Sequence, residues 1–317
     1  METKHDSVLF TESIEALDIH PSDVVVDATL GGAGHFKAML TQLGPQGAIV
    51  GIDADSDAIE RAKKAADGDL RCDKPDIHLV EGNFRNLKQI LKNEGIEAPN
   101  KVLFDLGWSS FQLTRGRGFS FKAEEPLLMT YGNPEEAETA ADLVNSAEEA
   151  ELSEIIFTYG EERFARGIAK SIVRERKEKR ILTTADLVRA VEKGTPSWYH
   201  HRRLHPATKT FQALRIAVND ELGALREGLA AAIELVPPGG RIAVITFHSI
   251  EDRIVKGMFR DAAYAGKGCL GNKKPIAPSE EELSVNPRAR SAKLRTFLRE
   301  DCEPSKSSLF HNHVAYV

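Results

Sequence analysis

The sequence predicts an open α/β sheet, wound on both faces by helices and interrupted by an inserted all-α block. Three observations carry that prediction. Apolar runs near the start of the chain end in acids, at Asp27, Asp53 and Asp105. Helical stretches separate these runs, the pattern of a parallel sheet with ligands at strand C-termini. Strand signals then vanish between about residues 116 and 206 and resume afterwards.

The elements follow in order. Val24-Val25-Val26-Asp27 is a β-branched run, followed by Gly31, Gly32, Ala33 and Gly34 and a helical stretch through Leu43. Ala48 to Asp53 is a second strand, and Ala58 to Ala66 a helix. Ile77 to Val80 is a third strand, leading into Gly82-Asn83-Phe84. Val102-Leu103-Phe104 is the fourth, leading into Asp105-Leu106-Gly107-Trp108-Ser109-Ser110. Helices are expected over Ala140–Val144, Glu148–Tyr159, Glu161–Lys179 and Thr184–Glu192, with Thr183 or Thr184 as an N-cap and Asp186 in the first turn. Thr208 to Leu235 reads as one long amphipathic helix, with Phe211, Leu214, Val218, Leu222, Leu225 and Leu229 on one face. Pro237-Pro238-Gly239-Gly240 breaks it before a strong strand, Arg241 to Phe247, and a helix from Ile250 to Asp261. Residues 264–290 read as loop, and Ser291 to Leu298 as a late strand.

Composition excludes several classes. The chain has 317 residues, 41% hydrophobic and 28% charged, with a formal net charge of −6. That is an ordinary globular balance, so any nucleic-acid contact must rest on local basic patches. Cys72, Cys269 and Cys302 lie far apart and read as free thiols, with no zinc-binding spacing. The polar start, Met1 to Phe10, lacks the apolar core of a signal peptide, and no apolar run is long enough to span a bilayer. A cytoplasmic protein is expected.

The acids and glycines point to a cofactor. Gly32-Ala33-Gly34, between a strand and a helix, lets backbone amides approach a ligand closely. The dinucleotide fingerprint is incomplete, because Lys37 stands at its third glycine. Asp53 ends the second strand about 20 residues on, where an acid accepts hydrogen bonds from ribose hydroxyls; its competing reading is a helix N-cap. Three acids at strand ends suit the sulfonium cation of S-adenosylmethionine better than the pyrophosphate of a nicotinamide dinucleotide. Phe84 offers a face for adenine or a core contact. Asp105, with the backbone carbonyls beside it and the Ser109 hydroxyl, suits the holding of an exocyclic base amine, so Asp105 is the catalytic candidate.

RNA contacts are sought on the helical block. Eight Lys or Arg fall between Glu161 and Arg180, among them Arg174 and Arg176. Trp198-Tyr199-His200-His201-Arg202-Arg203 interleaves aromatics with histidine and arginine, a mixture suited to bases and phosphates. His201, Arg202 and Arg203 are therefore candidates. His248 lies at the sheet edge, where it either touches substrate or satisfies Glu251 or Asp252. No set of metal ligands is read.

Taken together these residues resemble one family, the bacterial cytosine-N4 methyltransferases of small-subunit ribosomal RNA (methyltransferase H, MraW). The segments carrying the resemblance include Asp27-Ala28-Thr29-Leu30-Gly31-Gly32-Ala33-Gly34-His35, Asp105-Leu106-Gly107, Arg117-Gly118-Phe119-Ser120-Phe121 and Tyr159-Gly160-Glu161-Glu162-Arg163-Phe164. They continue with His205-Pro206-Ala207-Thr208, Thr210 to Ile216, Phe247 to Lys256 and Asn286 to Ser291, in family order over about residues 5–298. The resemblance implies a Rossmann-type class I methyltransferase sheet over 1–114 and 207–299, a helical RNA-recognition insertion over 115–206, and a tail over 300–317. It implies N4-methylation of a cytidine in the decoding region of 16S rRNA, within the small ribosomal subunit, and leaves a homodimer open. It maps the S-adenosylmethionine site onto Ala33, Gly34, His35, Asp53, Phe84, Asp105 and Gln112; His35 and Gln112 rest on the resemblance alone. The other classes to weigh are a methyltransferase on another nucleic acid or a protein, and a catalytically weak ribosome-assembly factor.

The chain departs from the family pattern in places. Ala33 stands where the family has Gly, a mild change if its φ is negative. Trp108 replaces a small aliphatic residue and Phe111 a Pro. Leu128 and Thr130 stand where an acid and a basic residue are usual.

Overall fold

The structure is a computed structural model that describes residues 7–107, 116–131, 134, 135 and 137–300. Trp108, Ser109, Phe111, Gln112 and Cys302 lie outside the described residues.

Five parallel strands form the body of one sheet: β1 (Val24–Asp27), β2 (Ala48–Asp53), β3 (Asp76–Glu81), β4 (Lys101–Asp105) and β5 (Arg241–Thr246). β6 (Cys269–Leu270) and β7 (Lys293–Leu298) complete the order β3-β2-β1-β4-β5-β7-β6, with β7 antiparallel to both neighbours. The direction of winding reverses beside β1, so β2 leaves it on one side and β4 pairs on the other. Open α/β sheets bind ligands at the carboxyl ends of strands flanking such a reversal.

The central strands β1, β2, β4 and β5 have apolar interiors because both faces of the sheet are covered there. Val25, Ile49, Leu103 and Ala243 pack beneath α1 (Phe10–Leu17), α2 (Gly34–Gln42) and α3 (Ser56–Asp67), against Phe36, Met39, Ile59 and Ala62. Val26, Val50, Phe104 and Val244 face the other way, onto α4 (Leu87–Asn93). The next two residues of each strand thus serve opposite cores, as a period of two requires.

The helical block contains α5 (Ala140–Ser146), α6 (Glu149–Gly160), α7 (Ala165–Glu178) and α8 (Thr184–Lys193). Thr183 is the N-cap of α8: its side chain accepts from Asp186 N–H, and Asp186 bonds back. That reciprocal capping box satisfies two of the orphan amide donors of the first turn. Leu143, Leu152, Ile156, Ile168, Ile172 and Leu187 form the block's own core. This core extends past residue 206 to take in Ala207, Phe211 and Leu214.

Three expectations need correction. The long helix over Thr208–Leu235 is two helices, α9 (Thr208–Asn219) and α10 (Glu221–Leu235), because Asp220 adopts a left-handed φ of 44°. The helix expected from Glu161 starts only at Ala165, since Glu161 is itself left-handed at φ 48° and ends α6. The supposed loop over 264–290 contains β6 and α12 (Glu280–Val285), and the final sheet helix, α11, runs from Ser249 to Tyr264.

Cys72 is an exposed free thiol, but Cys269 is disulfide-bonded, against the expectation of free thiols throughout. Spacing in sequence could not reveal this, because the β6–β7 pairing carries Cys269 across to Leu298, near the start of the C-terminal segment. Among the described residues no helix is long and apolar enough to cross a membrane.

Candidate active site

Backbone ties bring three strand ends together. Thr29 Oγ1 accepts from Asp105 N–H at 2.7 Å, locking the turn after β1 to the end of β4. Asp53 Oδ2 accepts from Gly31 N–H at 2.9 Å, and its Oδ1 accepts from Asp55 N–H at 2.9 Å. The N-cap of α3 is Asp55, whose side chain accepts from Asp57 N–H, so the N-cap reading of Asp53 fails. Arg61 Nε closes the loop by donating to Gly31 O at 2.9 Å. Burial pushes the Asp53 carboxyl up, opposed by the two amides it accepts from.

Gly34 opens α2, and a Cβ there would lie 2.2 Å from Ser7 Oγ, so any side chain would have to displace the Ser7 hydroxyl. The preceding Ala33 has φ 62°, a left-handed conformation that costs an L-residue about 1 kcal/mol relative to glycine. The expectation of a mild change at this position therefore does not hold. Ala33→Gly is expected to stabilise the fold by about 1 kcal/mol in denaturant unfolding, since glycine relieves that strain. A destabilised variant would show the strain to be compensated.

A second buried cluster lies beneath the loop. His35 is buried, with Nδ1 3.5 Å from Asp105 Oδ2. Burial works against a charged imidazole, but Asp105 and Asp27 outweigh it and raise His35 above its ordinary range. Asp27 is fully buried; its Oδ1 accepts from Thr29 N–H, and its Oδ2 has no hydrogen-bond partner. Burial pushes this carboxyl up to about 7, with His35 the main opposing influence. The folded protein therefore holds the Asp27 proton more tightly than the unfolded chain. Stability from this group is fully present below the ordinary value of 3.8 and is lost as pH rises toward about 7, on the order of 1.4 kcal/mol per pH unit. Asp27→Asn is expected to raise the thermal midpoint at pH 8 more than at pH 5. Equal shifts at both pH values would contradict the assignment.

One cavity of about 680 Å³ runs across these strand ends, within the roughly 300–1,000 Å³ usual for small-molecule sites. Gly31, Gly32, Gly34, His35, Asp53, Phe84 and Asp105 line it, so the structure brings these sequence candidates together. Phe84 does both things expected of it: it faces the cavity and meets Phe104 edge-on at 5.5 Å. The lining also includes residues the sequence did not single out, Tyr131, Asn219 and Glu221, together with Glu251, expected only as a partner of His248.

Tyr131, Asn219 and Glu221 belong to an ordered polar network. Arg215 is buried and donates to both Glu221 oxygens, at 2.6 and 2.7 Å. Tyr131 O–H donates to Glu221 Oε1 at 2.8 Å; burial, then the Glu221 carboxylate, push the phenol well above its ordinary value, so it stays a donor. Asn219 donates to Met129 O and accepts from Tyr131 N–H, pinning the 116–131 segment to the end of α9. The Asn219-Asp220 pair, two residues that tolerate a left-handed turn, was a signal that the periodicity reading passed over.

His248 settles as the N-cap of α11. Its Nδ1 accepts from Glu251 N–H, and Nε2 lies 3.0 Å from Glu251 Oε1. Glu221, His248 and Glu251 bring potential metal ligands within 4.8 Å. However, Glu221 already holds Arg215 and Tyr131, and Glu251 Oε2 accepts from Phe247 and His248 N–H.

The basic helix is divided. Arg174 pairs with Glu175. Arg176 donates to the carbonyls of Val144 and Ala147, capping the end of α5, so it is corrected from an RNA candidate to a structural residue. A compositional count could not reveal this, because it does not show which cations face orphan helix carbonyls. His201, Arg202 and Arg203 are exposed.

With this geometry in place, comparison with known proteins gives a clear result. The model of the MraW methylase family matches residues 2–300. The chain belongs to the MraW methylase family. A protein of Brevibacillus brevis named ribosomal RNA small subunit methyltransferase H is 44% identical over 310 residues, covering 92% of this chain and 96% of that one. Its namesake in Deinococcus radiodurans is 47% identical over 294 residues, covering 92% and 88%. Among solved structures, an rRNA methylase from Streptococcus thermophilus aligns over 93% of this chain and 98% of that one, with 9% identity and a TM-score of 0.43.

As a methylase of this family the chain uses S-adenosylmethionine as methyl donor. The residues present fit that cofactor. The loop at Gly34 leaves its backbone open to the cavity, and Asp53 offers carboxylate oxygens at its edge. Asp27 Oδ2 and His35 Nε2 are buried polar atoms without hydrogen-bond partners beside it.

Proposed function

We propose that the protein transfers a methyl group from S-adenosylmethionine to the exocyclic N4 amine of a cytidine in the decoding region of 16S rRNA. The observation that carries this reading is the position of Asp105. It ends β4 on the cavity wall, tied by Thr29 and His35, with Leu106 beside it and Tyr131 and Glu221 lining the same cavity.

The cofactor supplies an electrophilic methyl on a positively charged sulfur. The protein's residues do the rest. Asp53 would hold the ribose, Gly34 and His35 the amino-acid end, and Phe84 the adenine face, while Ala33, buried and not among the cavity-lining residues, would shape the loop. Gln112 completes the set in the family pattern. Asp105 and the Leu106 carbonyl accept the hydrogens of the cytosine amine, which favours a pyramidal nitrogen with its lone pair free. As the N4–carbon bond forms, the sulfur–carbon bond breaks and one amine proton leaves to water or a carboxylate. Holding the partners in line contributes about 7–11 kcal/mol to such a reaction.

The cytidine has to be unstacked to reach the cavity. Ser109 and His248 remain the candidates for the nucleoside itself, and the exposed His201, Arg202 and Arg203 are the candidates for RNA contact, Arg174 being paired with Glu175. The net charge of −6 favours a specific ribosomal surface over indiscriminate binding. The experiment is methyl transfer from labelled S-adenosylmethionine to unmodified small subunits, with large subunits as control. Label in 16S rRNA supports the reading, whereas label in ribosomal protein or in the large subunit overturns it.

A further inference from the structure

The insertion carries an aromatic surface that the active site does not use. Trp198 is 53% exposed, on a short 3-10 turn over Ser197–His201. The Arg163 guanidinium lies 4.8 Å from the Trp198 ring centre and 4.7 Å from that of Phe164, just before α7. Phe164 and Tyr199 both meet Trp198 edge-on, at 5.9 and 5.8 Å. The base of this group is rigid. Tyr199 is buried and donates to Glu162 Oε2 at 2.6 Å, while Glu162 Oε1 accepts from Phe164 N–H. Arg202 covers the Tyr199 ring at 5.5 Å.

The charge around this group differs from that at the other end of α7. There, Arg174 and Lys193 pair with Glu175, Lys179 pairs with Asp186, and Arg176 caps a helix. Here the exposed Arg163 and Arg202, on the aromatic rings, and the exposed Arg166 and Arg203, close to them in sequence, form no ion pair among the described residues. Exposed cations that no carboxylate pairs, next to an exposed indole, match a polyanion with flat bases. A protein partner would more usually meet this group with acids of its own.

We infer that Trp198, with Arg163 stacked on it, is a platform for an unpaired base of the RNA substrate, with Arg166, Arg202 and Arg203 taking the adjoining phosphates. The RNA-binding face of the insertion is then the Arg163–Trp198 end and not the Arg174–Arg176 end. This rests on the reading above that the substrate is RNA.

The test compares Trp198→Ala, Trp198→Phe and Arg163→Ala with the full-length wild type. The probes are a single-stranded oligoribonucleotide and unmodified small subunits, and thermal midpoints check folding. Stacking on an aromatic side chain is typically worth enough to change affinity about tenfold. Trp198→Ala is expected to weaken oligoribonucleotide binding about tenfold and to raise KM for subunits, with S-adenosylmethionine affinity unchanged. Trp198→Phe should recover most of the binding. Arg202→Ala and Arg203→Ala should each flatten the salt dependence of binding by about one phosphate contact. Wild-type affinity in Trp198→Ala overturns the platform, as does a defect confined to intact subunits, which would assign the surface to a ribosomal protein. A wild-type enzyme that methylates no subunit RNA overturns the substrate reading instead, and the oligoribonucleotide arm still decides the platform.

Discussion

Asp53→Ala is expected to weaken S-adenosylmethionine binding by about 100-fold. Two effects combine. The carboxylate that would accept from the ribose hydroxyls is gone, and hydrogen bonds to a charged group contribute about 1.5–3 kcal/mol each. The same side chain also holds Gly31 N–H and Asp55 N–H, so its loss frees the glycine loop and the entrance to α3 together. Asp53→Asn keeps one oxygen acceptor and should fall between the two. Calorimetric titration with S-adenosylmethionine reads the effect directly, and an unchanged dissociation constant in Asp53→Ala would remove the ribose assignment.

Arg215→Met is expected to destabilise the protein by about 1.5–3 kcal/mol, the usual contribution of hydrogen bonds to a charged group, because the carboxylate left behind is half-buried and opens onto the cavity. Here the stranded group is Glu221, which would keep the Tyr131 hydroxyl but lose both guanidinium contacts. The double variant Arg215→Met with Glu221→Leu should recover most of that loss, because a well-packed apolar pair often replaces a buried ion pair without cost. Activity should not recover with stability, because Tyr131 and Glu221 line the same cavity as Asp105. Denaturant unfolding of the two singles and the double separates these effects. Simple additivity would mean that the pair is not coupled.

The sheet was legible because its strands are buried on both faces. Val24–Val26, Ala48–Ile52 and Val102–Phe104 have no polar interruption, and each ends in an acid that the cofactor loops use. The glycine loop and Asp53 were legible for the same local reason. The other part of the cavity lining was not. Tyr131, Asn219 and Glu221 are separated by up to 90 positions, and their meeting depends on a helix break at Asp220 that contains neither Gly nor Pro. Apolar periodicity continues through that break, so pattern alone reads one helix. Ala33 shows the reverse case: the residue was noticed, but its positive φ could not be read from sequence. Arg176 and Arg163 were equal members of a charge run, and only the neighbouring carbonyls and rings distinguish a helix cap from a free cation.

The identity of the methylated nucleoside tests the central claim most directly. Small subunits lacking the modification are incubated with the enzyme and labelled S-adenosylmethionine, and the 16S rRNA is digested to nucleosides and resolved by mass and chromatography. The cavity, with hydrogen-bond acceptors at Asp105 and no cysteine in its lining among the described residues, predicts label in N4-methylcytidine. Label in 5-methylcytidine, or in any purine, would contradict it.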